Sequence, residues 1–380
     1  MSRAIVDLVA GARPNFMKLA PVARALATVE GLRGRIVHTG QHYDPAMNDV
    51  FFAELEIPPP DLHLEVGSGR HGAQTARILE RYEEHLLASP PAASVVFGDV
   101  NSTIGCALAA SKLGVPVVHV EAGLRSFDRT MPEEINRLLT DSLSDLLLVS
   151  EPSGVQNLER EGVPPEKVRL VGNVMIDTLR MMLPAARERE TARGLGLSGR
   201  YGVVTLHRPS NVDDPVTLGR LLTLLHELAA EIPLVFPVHP RTRANAEAAG
   251  FGPRLAEGNL LCVGPLPYLD TLSLVSGAAV VLTDSGGLQE ETSALDVPCL
   301  TLRENTERPV TVQLGTSRLV GHDPEAIRRA FAEAASGAWP TARPIPLWDG
   351  ATGGRVAAEI ATFLMARGSL RHATTQVVGA

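Results

Sequence analysis

What this sequence lacks narrows its function first. No apolar run reaches the roughly 18–20 residues that a bilayer-spanning helix needs. The opening stretch, Met1-Ser2-Arg3 followed by Ala4-Ile5-Val6-Asp7-Leu8-Val9, has neither the hydrophobic region nor the small-residue cleavage site of a secretory signal and reads as a first strand. There are only three cysteines, Cys106, Cys262 and Cys299, each in an apolar segment and none in CxxC spacing. They read as small core residues, and a reducing cytosol fits them. No HExxH or CxxC pair offers metal-ligand spacing, and no GxSxG elbow offers an activated serine. Gly194-Leu195-Gly196-Leu197-Ser198-Gly199 matches G-x-G-x-x-G letter for letter. It precedes a strand, however, where a dinucleotide fingerprint must follow one and open a helix. A net charge of −8 argues against a nucleic-acid polymer as partner. Metal, cofactor, nucleic acid and membrane are therefore all absent from the expected function. A small anionic substrate would need a local basic pocket, with Arg13, Lys18, Arg125, Arg208, His239, Arg241, Arg243 and Arg308 as candidates.

What is present is a rhythm of strand, polar turn and helix. The length of 380 residues favours two domains, and 44% hydrophobic with 21% charged residues is ordinary for a globular protein. Strand-like runs occur at Ile5–Val9, Arg35–Thr39, Ser94–Phe97, Val115–Val120, Asp145–Val149 and Val168–Val171. Helical stretches lie between them at Pro21–Thr28, Thr103–Lys112, Pro132–Leu143 and Gly154–Glu161. The rhythm restarts at Gly202–Leu206 and continues through Leu234–Val238, Leu260–Val263, Val280–Leu282 and Cys299–Leu302. Continuous apolar strands alternating with helices imply parallel sheets covered on both faces. Arg187-Glu188-Arg189-Glu190 and the glycines of 194–199 read as a solvated linker between the two sheets.

Polar residues cluster where the strands end. Ala12-Arg13-Pro14-Asn15, Gly40–Asp44, Gly98-Asp99-Val100-Asn101-Ser102 and Glu121–Arg125 follow strands of the first half. His207-Arg208, His239-Pro240-Arg241 and Asp284-Ser285-Gly286-Gly287 do so in the second. Open α/β sheets bind ligands outside the carboxyl ends of their strands, so sheets facing across a cleft would line it with these residues. In Thr283–Glu291 the paired glycines at a strand-to-helix turn suit a phosphate, and Glu291, one turn further in, suits a ribose. Asp99, Glu121 and Glu133 are rim carboxylates, and His207 and His239 are rim histidines. Each has a plainer reading. Asp99 caps a helix, Glu133 sits in a helix's first turn and pairs with Arg137, and the histidines close strands. Those readings do not explain why all share one rim. Several carboxylates and a histidine beside a phosphate turn suit acid–base chemistry on a phosphorylated sugar or nucleotide-sugar.

At this point the sequence resembles the non-hydrolysing UDP-N-acetylglucosamine 2-epimerases. The likeness runs over roughly residues 4–365 and rests on Gly11–Lys18, Thr39-Gly40-Gln41-His42-Tyr43-Asp44, Gly98-Asp99, His119–Arg125, Pro132-Glu133-Glu134-Ile135-Asn136-Arg137, Thr205-Leu206-His207-Arg208, Pro237–Pro240, Asp284–Glu291 and Thr306-Glu307-Arg308-Pro309. It implies the GT-B architecture, two Rossmann-like doubly wound parallel-sheet domains facing across a cleft. The expected domains are 1–175 with a returning helix at about 354–367, and a UDP-binding domain at 176–353. The resemblance further implies a cytoplasmic homodimer that interconverts UDP-GlcNAc and UDP-ManNAc without cofactor or metal. Asp99, Glu121, Glu133 and His207 match catalytic positions; Arg13 and Lys18 match sugar-proximal ones; His239, Ser285, Gly286, Gly287, Glu291 and Arg308 match UDP-binding ones. The sequence departs from many bacterial members at Asp44 and Pro209, which stand where those carry the glutamine and arginine of a substrate-activated site. Activation by UDP-GlcNAc is therefore in doubt, and the wording shades towards epimerases of UDP-2,3-diacetamido sugars. A modified-sugar epimerase, a hydrolysing epimerase and a GT-B glycosyltransferase stay open as alternatives.

Overall fold

The structure is a computed structural model that describes residues 3–41, 52, 54–256 and 258–370. The chain forms two compact units: one runs through Thr178 and resumes at Pro346, and the other is Leu179–Ile345. The first unit holds β1 (Ala4–Ala10), β2 (Leu32–His38), β3 (Leu62–His63), β4 (Ala93–Phe97), β5 (Val117–Ala122), β6 (Leu146–Val149) and β7 (Val168–Leu170). They form one sheet in the order β3-β2-β1-β4-β5-β6-β7, with parallel pairings throughout. The second unit holds β8 (Gly202–Thr205), β9 (Leu234–Pro237), β10 (Leu260–Val263), β11 (Val280–Thr283), β12 (Cys299–Thr301) and β13 (Ser317–Leu319). Its order is β10-β9-β8-β11-β12-β13, again all parallel. Both orders reverse direction at their first strand, which defines a doubly wound sheet with a switch point.

The central strands are apolar along their length because helices cover both faces; Val95, Val96, Val117, Val118, Leu147, Leu148, Val203, Val235, Val281 and Leu282 are fully buried. Several following helices start on proline, whose fixed φ and missing N–H suit the first helical position: Pro132, Pro152, Pro215, Pro240 and Pro324. β3 and β13 carry no apolar run and are strands that the sequence pattern misses, as it misses the helix His71–Ala88. β3 is two residues long, and its register is set partly by Asp61, which accepts a bond from Ile36 N at 2.8 Å. The Arg187–Glu190 stretch, expected to be a linker, instead closes the helix Val174–Glu188, and the change of unit falls inside that helix. Among the described residues no helix is long and apolar enough to cross a membrane.

The helix Thr352–Ala366 packs on the first helix of the chain, Arg13–Leu26. Asp177 accepts bonds from Thr352 N (3.1 Å) and Gly353 N (2.7 Å), satisfying two of the helix's first donors. Gly353 allows the contact, since a Cβ there would stand 2.6 Å from the carbonyl oxygen of Pro21. One residue on, a Cβ at Gly354 would meet nothing within 4 Å. Gly353→Ala is therefore expected to destabilise the protein by about 1–3 kcal/mol, the usual range for overpacking. Gly354→Ala, with better helix propensity and open space, is expected to be neutral or stabilising by up to about 1 kcal/mol. Urea unfolding of the two variants checks this, and equal effects would contradict the close approach.

Candidate active site

In the first unit the switch point lies between β1 and β4, the neighbours from which the strand order runs both ways. Arg13 opens the helix that follows β1, and Lys18 lies further along it, buried, with its Nζ against a carboxylate oxygen of Glu121. Gly98, just beyond β4 at φ 64°, makes room for that ammonium: a Cβ there would sit 2.7 Å from Nζ. Glu121 is the next-to-last residue of β5 and has φ 74° where the pairing of β5 with β6 slips register. A non-glycine residue in that region costs on the order of 1–3 kcal/mol and persists where its surroundings hold it.

Those surroundings are polar and buried. Asp141, on the helix Pro132–Leu143, meets His119 Nδ1 at 2.6 Å with one carboxylate oxygen. Its other oxygen accepts from Gly123 N at 3.1 Å and meets Arg125 Nη2 at 2.7 Å. Burial pushes the Asp141 carboxyl up, but the contacts with His119 and Arg125 outweigh it and hold the group below the usual carboxylate range. His119 Nε2 faces the carbonyl oxygen of Gly98 at 2.8 Å, and Asn157 donates to the carbonyl of Gly123 at 2.9 Å. Arg125, a candidate for an anion pocket on sequence grounds, is instead buried between Asp141 and a two-pronged contact with Glu161.

Asp99 does not cap the next helix, whose N-cap is Val100 without a side-chain bond. Its carboxylate accepts two bonds from Arg137, at 3.0 and 2.7 Å, and its carbonyl accepts from Asn136 at 2.9 Å. Arg137 also donates to Glu134 at 2.7 Å. The plainer Glu133–Arg137 pair is not the one formed: the guanidinium turns to Glu134 and Asp99. Glu133 sits half-buried in the first turn of its helix and carries no hydrogen bond or ion pair among the described residues.

In the second unit the switch point lies between β8 and β11. Asp284, fully buried beyond β11, accepts from the backbone of His207 (3.0 Å) and Arg208 (2.9 Å) and from Asn211 Nδ2 (3.0 Å). It also faces His207 Nδ1 at 2.9 Å, which orients the imidazole of a side chain 43% exposed. Burial pushes the Asp284 carboxyl up, and these donors more than reverse that, so it stays below the usual range. The rings of His207 and His239 are 6.0 Å apart. His239 caps the helix Pro240–Ala248 by accepting from Arg241 N at 3.2 Å, and burial, then His207 and Arg241, lower its pKa.

The Ser285-Gly286-Gly287 turn opens the helix Gly286–Leu295, and Ser285 Oγ accepts from Leu288 N at 3.5 Å. Beside it, Arg308 is so close that a Cβ at Gly286 would stand 2.8 Å from its Nη1, whereas at Gly287 the nearest atom is Ser285 Oγ at 3.9 Å. Arg308 is positioned by Glu290, which accepts from its Nε at 2.5 Å. Glu291 is buried, accepts from Tyr268 OH at 3.0 Å, and is pushed up to about 7 by burial, with Glu290 adding to the rise and the tyrosine opposing it. Asp99, Glu121, His207, His239 and the Ser285 turn each lie at or just beyond the carboxyl end of a strand in their own unit, whereas Glu133 lies in the first turn of the helix after β5. Asp141 and Tyr268, which help to hold them, are invisible to that pattern, and the supporting roles of His119 and Asp284 cannot be read from it. Only the presence of His119 and Asp284 inside polar strand-end runs hints at them. His42, Tyr43 and Asp44 lie outside the described residues, and Pro209 opens the short helix Pro209–Val212.

Two doubly wound parallel-sheet domains, one with carboxylates at its strand ends and one with a glycine turn beside arginine and histidine, belong to the GT-B class of folds. The sequence profile of the UDP-N-acetylglucosamine 2-epimerases matches residues 24–361. The chain is 41% identical over 329 residues to the UDP-N-acetylglucosamine 2-epimerase of Methanococcus maripaludis, covering 85% of this chain and 89% of that one. It is also 41% identical over 314 residues to the UDP-2,3-diacetamido-2,3-dideoxy-D-glucuronate 2-epimerase of Pseudomonas aeruginosa, covering 82% and 86%. The crystal structure of the Methanocaldococcus jannaschii UDP-GlcNAc 2-epimerase in complex with UDP-GlcNAc and UDP superposes with a TM-score of 0.86 at 38% identity, covering 94% of this chain and 99% of that one. The chain belongs to the UDP-N-acetylglucosamine 2-epimerase family and is an isomerase.

Glu291 generates a stability prediction. Its folded-state value of about 7 lies above the ordinary 4.5, so between those values the folded protein holds a proton that the unfolded chain has lost. Its contribution is full below pH 4.5 and is lost as the pH rises through about 7. Relative to wild type, Glu291→Gln is expected to gain on the order of 2–3 kcal/mol between pH 5 and 8, because it has nothing to ionise. Urea unfolding across that range checks it, and a difference that does not change with pH would contradict the buried, proton-holding carboxyl.

Proposed function

We propose that the protein interconverts UDP-GlcNAc and UDP-ManNAc without hydrolysis, by eliminating UDP and adding it back. The observation that carries this reading is the buried Lys18–Glu121 pair on a rim that also bears Asp99 and Glu133. A rim built only to hold phosphate would not gather three carboxylates. Inverting C2 requires breaking a C–H bond that no neighbouring carbonyl activates. In the proposed scheme a carboxylate removes the C2 proton while the bond from C1 to the UDP oxygen breaks, its electron pair leaving with UDP. The products, UDP and 2-acetamidoglucal, stay bound; UDP then re-adds at C1 as an acid delivers a proton to the other face of C2. Asp99, Glu121, Glu133 and His207 are the acid–base groups. Arg13 and Lys18 stabilise the charge that develops on the diphosphate. The Ser285-Gly286-Gly287 turn, with Arg308 and His239, binds the diphosphate, and Glu291 binds the ribose. The neighbour that holds UDP-GlcNAc and UDP supports a UDP-sugar as ligand. A cytoplasmic homodimer completes the proposal.

A second substrate reading has its own support, the 41% identity to the diacetamido-glucuronate epimerase. The C2 chemistry is the same in both, and a panel of the two UDP-sugars decides between them by kcat/KM.

The reaction is tested in D2O. One deuterium is expected at C2 of the product, with no nicotinamide or metal added, and turnover that keeps the C2 hydrogen would sink the elimination. Asp99→Asn, Glu121→Gln and Glu133→Gln should each lower kcat by roughly 10²-fold or more with UDP affinity little changed. Glu291→Ala should weaken UDP itself by about 1.5–3 kcal/mol. Calorimetric titration in which Glu291→Ala binds UDP like wild type and Asp99→Asn does not would reverse the assignment of roles.

A further inference from the structure

Asp141 is none of the residues assigned to substrate above, yet its contacts reach the backbone around two of the three rim carboxylates. His119 and Gly123 lie two residues before and two residues after Glu121, and Asp141 holds both, at 2.6 and 3.1 Å. The residue between them is the one at φ 74°. His119 carries the link onward to the carbonyl of Gly98 at 2.8 Å, directly before Asp99 and at the position whose missing Cβ admits Lys18. The same helix holds Asp99 from its other side through Asn136 and Arg137, and it carries Glu133 in its first turn. A carboxylate held by so many buried donors is rigid, and it ties both flanks of Glu121 at the end of β5, through His119, to Gly98 at the end of β4.

We propose that Asp141, acting through His119, is a positioning residue for epimerisation: it clamps the chain on both sides of Glu121 and sets the Glu121–Lys18 pair and Asp99 in their working geometry. This rests on the acid–base roles proposed above. A side chain that merely stabilises the fold would change stability and substrate binding, and its loss would multiply with the loss of any catalytic group. A clamp acting through Glu121 behaves differently, because once the Glu121 carboxylate is gone there is little left for the clamp to position.

The test compares Asp141→Asn, Glu121→Gln and the double variant. Asp141→Asn keeps the shape and turns one acceptor into a donor. It is expected to lower kcat at least tenfold, with KM within about threefold and UDP affinity unchanged. Added to Glu121→Gln, it is expected to lower kcat by no more than about threefold further. Should Asp141→Asn fail to fold, His119→Asn, which can still donate towards Asp141 but is too short to reach Gly98, is put through the same comparison. A kcat within twofold of wild type, or a double variant whose loss is the product of the single losses, overturns the proposal. Failure of the underlying reaction is read separately, on wild type alone, as retention of the C2 hydrogen in D2O.

Discussion

The first domain's site depends on one constraint, that a buried lysine and a buried glutamate must meet. Lys18 and Glu121 are each nearly sealed from water, and either charge alone would be strongly destabilising there. Their meeting dictates the rest of the rim. Gly98 must lack a side chain so that the ammonium fits, and Glu121 must take a left-handed backbone so that its carboxylate turns towards the first helix. That backbone in turn requires the strand β5 to slip against β6 and a ring of buried donors and acceptors to hold the slip in place. Stability is given up locally to present a carboxylate in a fixed direction, which is the pattern expected where a group is arranged for chemistry and not for packing.

The second domain repeats the doubly wound strand order with a different set of side chains at its switch point. Its switch point is not strained. Asp284 is a buried anion satisfied by backbone and amide donors, and its main effect is to fix the loop that bears His207 and to orient the imidazole. Around the Ser285 turn, Arg308 lies against the start of the helix Gly286–Leu295, while Glu290 is paired with that arginine and burial raises the Glu291 carboxyl to about 7. Two sheets wound in the same way thus carry different equipment at their strand ends, carboxylates on one and a glycine turn with arginine and histidine on the other.

Much of this was legible in the sequence because the fold announces itself in apolar runs. Each interior strand is buried on both faces, so its hydrophobic stretch is unbroken, and the polar residues just beyond it mark the carboxyl end. That is enough to locate Asp99, Glu121, His207 and the Ser285 turn on strand ends. The edge strands β3 and β13 escaped because a two- or three-residue edge buries too little to leave a run. Arg137 was misread because local spacing suggests a partner one turn back, whereas its stronger partner, Asp99, lies 38 residues away in sequence. Arg125 was misread for the same reason: nothing near it in sequence announces Asp141 or Glu161. The clamps Asp141 and Asp284 work by joining strand ends that only the tertiary fold brings side by side, and no periodicity encodes that.

The central claim is that the carboxylate rim serves a reaction in which the bond between C1 and the UDP oxygen breaks and re-forms. Positional isotope exchange addresses that bond directly. UDP-GlcNAc carrying ¹⁸O in the bridge between C1 and the β-phosphorus is incubated with the enzyme, and the phosphorus spectrum is followed as C2 inverts. If UDP departs and returns, rotation of its β-phosphoryl group moves the label into non-bridging positions in step with epimerisation. Inversion at C2 with the label still in the bridge would contradict the account.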